Sequence, residues 1–386
     1  MTIERTVPAV DTAFRAAVVG TGMIGAVHRR AMAAAGATVV GVVGSSPERG
    51  SAAARAWGVP DAITDFEVLL DSEVDVVHIC TPNANHVDYA LRAIEAGRHV
   101  IVEKPVGLSH ASALEVEAAA SRAGVVVTVP FVYRFHPVVR EIRARIAAGA
   151  LGRIHTVHGS YLQDWLLSPA ATSWRVDAAL GGPSRAFADI GSHWIDLVEW
   201  VSGVRFTDLT AQTAIVVPER PAEGPATFAA QSSRAGVADV NTEDSAVALL
   251  RAPGVLGNVT VSQLAAARKN RLWFELDGTA GSAAFDQEQA ETAWFGDPAG
   301  AHIFARNPSA GSAEQRRLSI LPAGHAQGYA ECFAAFVGDS YRLMAGHRVE
   351  GVPTISDGVR AARVVEAVLE SAANGSWVPI EKGLLR

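Results

Sequence analysis

The chain has 386 residues, a formal net charge of −7, 49% hydrophobic residues and 19% charged residues, which leaves room for two globular domains of about 100 to 200 residues each. No lysine–arginine block is dense enough to follow a phosphate backbone, so nucleic acid is excluded as a partner. Cys80 and Cys332 are the only cysteines, too few for a disulfide framework or a structural zinc site and suited to a reducing, cytoplasmic setting.

Met1 to Phe14 carries Glu4, Arg5 and Asp11 without the apolar core of a signal peptide, and reads as a short extension. The longest uncharged stretch, Ala31 to Pro47, is broken by Gly36, Gly41 and Gly44 and is too short to span a bilayer, so no membrane partner is expected. Phe14 to Gly20 predicts a strand that ends in Gly20-Thr-Gly22-Met-Ile-Gly25, followed by a helix over Ala26 to Ala35. A purely structural turn gives the same three glycines, but strand, tight turn and helix in this order favour a dinucleotide-binding turn. Gly20 permits the turn, Gly22 lets the backbone approach a pyrophosphate, and Gly25 lets the helix pack on the strand. Met23 and Ile24 between them count among the cofactor contacts, and the helix N-terminus offers N–H groups and a positive dipole end.

Thr38 to Val43 predicts the second strand, Asp75 to Cys80 the third, His99 to Val102 the fourth and Val125 to Val129 the fifth, with helices near 47–57, 86–96 and 110–123. Near-continuous apolar strands separated by helices indicate a parallel, doubly wound sheet. The second strand ends in Gly44-Ser45-Ser46-Pro47-Glu48-Arg49, with no carboxylate at its tip to read a ribose 2′-hydroxyl. Ser45, Ser46 and Arg49 admit a 2′-phosphate and favour NADP, while Glu48 one turn later keeps NAD open. The fourth strand ends in Glu103-Lys104-Pro105. Open parallel sheets bind ligands outside the carboxyl ends of their strands, and Pro105 biases Lys104 toward an extended backbone. Lys104 is therefore the first candidate for a working residue.

After Tyr133-Arg134-Phe135-His136-Pro137 the pattern changes. Helices near Val138 to Ala148 and Ile190 to Val201 bracket an alternating strand, Ile154 to Leu162, and Ala246 to Phe285 alternates short β-rich runs with turns. This predicts a large, mainly antiparallel open sheet flanked by helices, one face covering the nucleotide site and the other free to build a homodimer or homotetramer. Arg220 to Asp239 and Asn307 to Gln315 read as loops.

Asp189-Ile-Gly-Ser-His193 holds the most chemical pair of this half, since residues four apart on a helix share a face. A histidine takes a proton near neutrality and a carboxylate orients it, although by spacing alone a capping aspartate and a packed helix histidine account better for the pair. Tyr161, Gln163, Asp164 and Trp165 at a strand end set aromatic rings beside polar groups and are candidate ligand contacts, with Trp165 equally a core residue. His325 is a candidate for the same pocket or for a helix start, and Arg185 and Lys269 are candidates for an anionic substituent. No third ligand completes a metal motif around Asp189 and His193, so no metal is expected, and no Gly-x-Ser-x-Gly elbow marks a hydrolase.

Taken in order, Gly20-x-Gly22-x-x-Gly25, Cys80-Thr-Pro-Asn83-x-x-His86, Glu103-Lys104-Pro105, Tyr133-Arg134, Trp174-Arg175 and Asp189-Ile-Gly-Ser-His193-Trp-Ile-Asp196 resemble the glucose–fructose oxidoreductase / inositol dehydrogenase / rhizopine catabolism family, from about Ala16 to Ile380. The resemblance implies an N-terminal Rossmann domain over 14–135 and a substrate-binding and oligomerisation domain of α+β type over 136–386, with the C-terminal helix packing back on the first. It implies NAD or NADP as cofactor and a hydroxyl of a sugar, sugar derivative or cyclitol as the oxidised group. It also implies Lys104, Asp189 and His193 as the catalytic set, Thr81, Pro82, Asn83, His86 and Glu103 along the cofactor, and Trp174 and Arg175 near the nicotinamide. Tyr133, Tyr161, Gln163, Arg185 and His325 join the catalytic set as candidate substrate contacts.

On this reading Lys104 stabilises the alkoxide oxygen, His193 takes the proton, and Asp189 holds His193 or binds a neighbouring hydroxyl. The chain departs from the family pattern in the missing acid after the second strand, and in Pro130 and Val132 where Gly and Asn often precede Tyr-Arg. Two alternatives share the fold: a glycosidase that uses NAD for transient oxidation and elimination, and a non-catalytic nucleotide-binding regulator.

Overall fold

The computed structural model describes residues 13–222 and 236–381. Most of the expected N-terminal extension, the middle of the 220–239 loop and the last five residues of the second domain lie outside the described residues.

The first sheet is built from β1 (Arg15–Val19), β2 (Thr38–Val43), β3 (Val76–Ile79), β4 (His99–Val102) and β5 (Val127–Thr128). The intervening helices are α1 (Met23–Ala34), α2 (Pro47–Ala56), the short α3 (Phe66–Leu70), α4 (His86–Glu95) and α5 (His110–Ala123). All pairings are parallel, in the order β2-β1-β3-β4-β5. The two inner strands beside the crossover, β1 and β3, are buried from Ala16 to Val19 and along their whole length, as a sheet covered on both faces requires. Local chemistry stops and starts the helices where it should. Ser46 caps α2 ahead of Pro47, Ser109 and Ser112 form a capping box on α5, and Gly124 closes α5 at φ +68°.

The second half contributes α6 (Pro137–Ala147), β6 (Ile154–Leu162), the one-turn α7 (Ala178–Gly181), α8 (Ser192–Ser202) and β7 (Asp208–Ala214). Next come β8 (Glu219–Pro221), β9 (Val237–Asp239), β10 (Ser245–Ala252), β11 (Val255–Ser262), β12 (Arg271–Gly278), β13 (Ser282–Asp286), β14 (Thr292–Asp297) and β15 (Gly300–Ala305). The chain ends with α9 (Ala313–Leu318), α10 (Tyr329–Met344), α11 (Ile355–Asn374) and β16 (Val378–Pro379).

Nine strands form an open sheet in the order β15-β14-β13-β12-β6-β11-β10-β7-β16. Every pairing is antiparallel except β6 with β11, so the mainly antiparallel expectation holds with one parallel seam. The inner face carries Val157, Tyr161, Val259, Leu272 and Phe274 against Trp194, Leu197 and Val198 of α8, and each such buried side chain contributes about 2 kcal/mol. The Trp194 indole donates to the Trp273 carbonyl at 2.9 Å. It crosses β6 at Gly159, where a Cβ would lie 2.6 Å from Nε1, and so fixes α8, with His193, on the sheet.

Two expectations change. The 220–239 region is not a plain loop, since β8 and β9 pair as a small antiparallel ribbon, and α9 begins inside the expected 307–315 loop at Ala313. The return to the first sheet also involves two helices. Ile355, Ala361 and Ala362 of α11 join the core beside α5, while Phe333, Phe336, Val337 and Tyr341 of α10 pack with Val18, Met32, Val76 and Ile101 on the other face.

Candidate active site

A cleft of roughly 1180 Å³ opens between the carboxyl ends of the parallel strands and the inner edge of the nine-stranded sheet. Gly20, Gly22, Met23, Ile24, Ser45, Arg49, Thr81, Pro82, Asn83, His86 and Glu103 line its first-domain wall. Tyr133, Tyr161, Gln163, Asp164, Trp165, Trp174, Arg175, Asp189, His193, Lys269, Asn270 and Tyr329 line the rest.

The dinucleotide end fits a phosphate-bearing cofactor on its own geometry. Gly20 takes φ +112° and a Cβ there would sit 2.4 Å from the Cys80 carbonyl oxygen, whereas Gly22 faces open space within the cleft. A Cβ on Gly25 would lie 2.0 Å from the Gly20 oxygen, so this glycine serves helix packing and does not reach the cleft. The N-terminus of α1 has no side-chain cap, which leaves its first N–H groups for an anion. The Thr81 hydroxyl is buried without a protein partner, a donor and acceptor waiting for a polar ligand group.

Ser46 serves differently: it caps α2 and does not line the cleft. Glu48 is exposed beside it, so the carboxylate that kept a ribose contact open points to solvent; the Ser46 hydrogen bond holds its pKa below the usual range. His86 sits between the carbonyl oxygens of Thr81, 2.9 Å from Nε2, and Pro105, 2.7 Å from Nδ1, and acts as a brace between the two loops. Asn83 Nδ2 donates to the Gly181 carbonyl at 2.9 Å, tying the first domain to the segment that carries Trp174 and Arg175.

At the other end Lys104 crosses the cleft. Its Nζ donates to the backbone oxygen of Asp189 at 2.7 Å and to Asp189 Oδ1 at 2.8 Å. Arg175 Nε stands 3.5 Å from the same Oδ1, and Gln263 Nε2 donates to Oδ2 at 2.9 Å. Burial opposes ionisation of Asp189, but Lys104, Arg175 and the Lys104 hydrogen bond outweigh it and hold the carboxyl far below its usual range.

His193 lies close by, edge-on to Phe131 at 5.6 Å and to Tyr133 at 5.0 Å between ring centroids. Burial, with the Lys104 charge, keeps its pKa well below the ordinary value, so the ring is a neutral base at neutral pH. Its Nδ1 is buried without a partner. This corrects one expectation: Asp189 does not hold His193. Asp189 sits in a π-helical turn, Phe187–Gly191, that precedes α8, and this turn widens the spacing that an α-helix would give and turns the carboxylate toward Lys104.

The remaining wall is a polar web. Tyr133 and Tyr161 share a hydrogen bond between hydroxyls at 2.6 Å; Tyr161 donates to Asn270 Oδ1 at 2.7 Å, and Asn270 Nδ2 donates to Tyr133 at 3.2 Å. Gln163 Nε2 donates to Asn270 Oδ1 at 2.9 Å, and the Trp165 indole donates to Gln163 at 3.0 Å, so Trp165 is a cleft residue and not core.

Two candidates for substrate contact lie elsewhere. Arg185, 2% exposed, is ion-paired with Asp244, which also binds Arg220, beneath the β8–β9 ribbon. It is therefore not offered to an anionic substituent: a buried guanidinium needs a buried partner, and Asp244 is 59 residues away in sequence. His325 is exposed and outside the cleft lining; its backbone N–H donates to the Pro322 carbonyl and its own carbonyl oxygen accepts from Arg306. Lys269 lines the cleft with its Nζ 2.7 Å from Asp164 Oδ2, engaged by a carboxylate and not offered to an anion. Sequence reading missed Gln263, Asn270 and Tyr329; each is a single polar group at an element boundary, Gln263 just after β11, Asn270 just before β12 and Tyr329 at the start of α10, and nothing else marks it.

Among the described residues one group of possible metal ligands occurs, His158, Glu275 and Asp277. It lies on the outer face of the nine-stranded sheet, away from the cleft.

Comparison with known proteins agrees with this geometry. Residues 14–131 match the oxidoreductase family with an NAD-binding Rossmann fold, and residues 139–284 match the GFO/IDH/MocA C-terminal domain. Levoglucosan dehydrogenase of Pseudarthrobacter phenanthrenivorans is 32% identical over 347 residues, covering 87% of this chain and 88% of the relative. 1,5-Anhydro-D-fructose reductase of Ensifer adhaerens is 29% identical over 371 residues, 92% and 94% of the two chains. Among solved structures, levoglucosan dehydrogenase in complex with NADH and L-sorbose superposes with a TM-score of 0.86 at 29% identity over 96% of this chain and 100% of that one. An inositol dehydrogenase homologue from Azotobacter vinelandii with NAD+ gives 0.82 at 27% identity over 96% and 98%. The chain belongs to the Gfo/Idh/MocA family of NAD-binding Rossmann-fold oxidoreductases.

Proposed function

We propose that this protein is an NAD(P)-dependent dehydrogenase acting on a secondary hydroxyl of a ring-shaped sugar, sugar derivative or cyclitol, with Lys104, Asp189 and His193 as its working side chains. The observation that carries this reading is the Lys104 ammonium held on Asp189 in the same cleft as a neutral, aromatic-walled His193. Relatives named for levoglucosan, 1,5-anhydrofructose and inositol support the substrate class.

Residues 14–135 hold the cofactor, through Gly20, Gly22 and the N-terminus of α1 at the phosphates and through Thr81, Asn83 and Glu103 further along. When bound, the nicotinamide supplies the hydride acceptor or donor. Residues 136–386 hold the substrate, with Tyr133 from the preceding segment. Lys104 points its charge at the oxygen whose electron density rises as the hydroxyl is oxidised, and a fixed, largely buried cation is effective there. His193, neutral, takes the hydroxyl proton. Asp189 aims Lys104, and Gln263 aims Asp189. The Tyr133–Tyr161–Asn270–Gln163 web presents hydroxyl and amide groups to the other hydroxyls of the ring. Lys269 is neutralised by Asp164, which favours an uncharged substrate over a carboxylate or phosphate ester.

The free, buried Cys80 and Cys332 suit a cytoplasmic enzyme, and no described helix is long and apolar enough to cross a membrane. Val247, Leu249, Leu256 and Ile303 stand exposed on the outer side of the nine-stranded sheet, a surface suited to a homodimer or homotetramer.

The test is a cofactor-reduction screen of sugars, anhydrosugars and cyclitols with NAD and with NADP, paired with a product assay for glycoside cleavage. Reduction by at least one polyol that Lys104→Ala abolishes is the expected result. Cofactor binding with no turnover across the panel defeats the reading.

A further inference from the structure

Beneath the cleft lies a line of buried polar side chains, of which the mechanism above uses only Glu103, as a cofactor contact. Glu103, at the carboxyl end of β4, presents its two oxygens to two different donors. Oε2 accepts the backbone N–H of Lys104 at 3.1 Å, and Oε1 lies 3.1 Å from His28 Nε2 on α1. His28 Nδ1 is 2.9 Å from His78 Nδ1 on β3, and His78 Nε2 is 2.8 Å from the Tyr341 hydroxyl on α10. His28 and His78 are fully buried and Tyr341 is 1% exposed. Four elements thus converge on one side chain whose neighbour is the candidate catalytic lysine.

The direction of the chain follows from the inventory of donors and acceptors. An ionised carboxylate only accepts, so His28 Nε2 must carry a proton. Burial opposes ionisation of Glu103, but the hydrogen bond from His28, with the Lys104 charge nearby, prevails and holds its pKa below the usual value. Two imidazole nitrogens facing each other need one donor and one acceptor. With both rings neutral, His78 Nδ1–H donates to His28 Nδ1 and the Tyr341 hydroxyl donates to His78 Nε2, so every donor points toward Glu103. With a second proton on His28, the contact between the rings reverses and His78 donates to Tyr341. In both arrangements the proton on His28 Nε2 stays on Glu103.

We propose that Tyr341, His78 and His28 are positioning residues, which act through Glu103 to fix the backbone amide of Lys104 and thereby aim its ammonium at the reacting oxygen. The inference rests on the assignment of Lys104 above. It goes beyond that assignment in giving a structural purpose to two histidines of the first domain and to a tyrosine 237 residues beyond Lys104. Because the chain ends on a hydroxyl of α10, the aim of a lysine in the nucleotide domain depends on a helix from the last fifth of the sequence. Loss of one link leaves polar groups unpaired in a dry site, where they seek other geometries.

The test combines a spectroscopic measurement with a double-mutant cycle. In the wild-type protein labelled with 15N-histidine, long-range 1H–15N spectra assigned with His28→Gln and His78→Gln show a proton on Nε2 of His28; a His28 protonated at Nδ1 alone overturns the proposal. This readout requires no turnover, so it separates failure of the chain from failure of the dehydrogenase assignment. In kinetics, Tyr341→Phe lowers kcat about fivefold to tenfold, the size of one lost buried hydrogen bond, with cofactor Kd and the KM for the polyol changed less than about twofold. In the Glu103→Gln background the same substitution has less than about a twofold effect, because its route to Lys104 is already cut. Additive losses in the cycle, or a Tyr341→Phe enzyme with wild-type kcat, overturn the proposal. Cofactor binding and thermal melting of each variant establish that the comparison is made between folded proteins.

Discussion

Lys104 and Asp189 join the two halves of the molecule through a single side chain: the ammonium at the end of a parallel strand donates to both the backbone oxygen and the carboxylate of a residue in a π-helical turn. The ion pair is only 14% exposed on each side, so removing either partner strands the other in a site that solvates charge poorly.

Lys104→Ala and His193→Ala are each expected to lower kcat by about two to three orders of magnitude, as loss of an electrostatic stabiliser or a general base does. Cofactor affinity, read by protein fluorescence, should stay within about threefold. Lys104→Arg should not rescue, because a planar guanidinium cannot replace a compact ammonium between two oxygens of one residue. Near-normal turnover in either alanine variant would remove that residue from the mechanism.

Gln263 is fully buried and touches the cleft only through Asp189. Gln263→Leu should cost about tenfold in kcat by leaving Asp189 Oδ2 without its amide donor. Gln263→Glu sets a second carboxylate against the first and should raise the apparent acidic pKa of the kcat profile. A profile that does not move in the glutamate variant would show that Asp189 is not held through Gln263.

The low pKa of His193 has a sign that can be checked. The basic, neutral ring persists below the ordinary histidine range, so the acid limb of kcat/KM, which reports the free enzyme, should fall at a pH below 6.5. Weakening the positive neighbour should bring this limb back up. An acid limb centred at 6.5 or higher contradicts a buried His193 base.

Stability should follow the same logic on a larger scale. His78, His86, His136 and His193 are buried with their pKa values pushed down by desolvation, His136 to about 4. The unfolded chain protonates them first, so their contribution is intact above about pH 6.5 and is lost as pH falls toward the folded values, at up to about 1.4 kcal/mol per pH unit for each. Urea midpoints measured from pH 7.5 to 5.5 should drop over the lower half of that range. A flat profile would mean that these rings already carry protons in the folded protein.

Cofactor choice turns on the tip of β2, where Ser45 and Arg49 line the cleft and no carboxylate does. Arg49→Ala should raise the KM for NADP about tenfold, the equivalent of about 1.4 kcal/mol, and change that for NAD little. Ser45→Asp should favour NAD by repelling a 2′-phosphate and accepting from the 2′-hydroxyl. If Arg49→Ala affects both cofactors equally, the arginine binds the shared pyrophosphate instead.

The parts of this architecture that repeat along the chain were legible in it. The five parallel strands, the strand Ile154–Leu162 and the helix after His110 follow from runs of Val, Ile and Ala with capping residues at their ends. Lys104 was legible because a strand end is a local feature with a known geometric meaning. The pairing of β6 with β11 was not, since nothing local distinguishes a parallel seam in an otherwise antiparallel sheet. Arg185 misled because its partner Asp244 is brought to it only by folding, and Asp189 seemed to serve His193 because the helical spacing between them hid a π turn. Tyr341 carries no sign in its neighbourhood of the histidine 263 positions earlier that shares a hydrogen bond with its hydroxyl.

The packing of α10 against Met32, Val76 and Ile101 bears on how this enzyme could be re-engineered. A nucleotide-binding half cut at the end of β5 would expose that apolar face and lose Tyr329 from the cleft rim. The first 130 residues are thus not a portable cassette. A chimera that exchanges cofactor preference by grafting that half from a relative must carry the matching Tyr329–Met344 segment with it, or inherit a helix shaped for another surface.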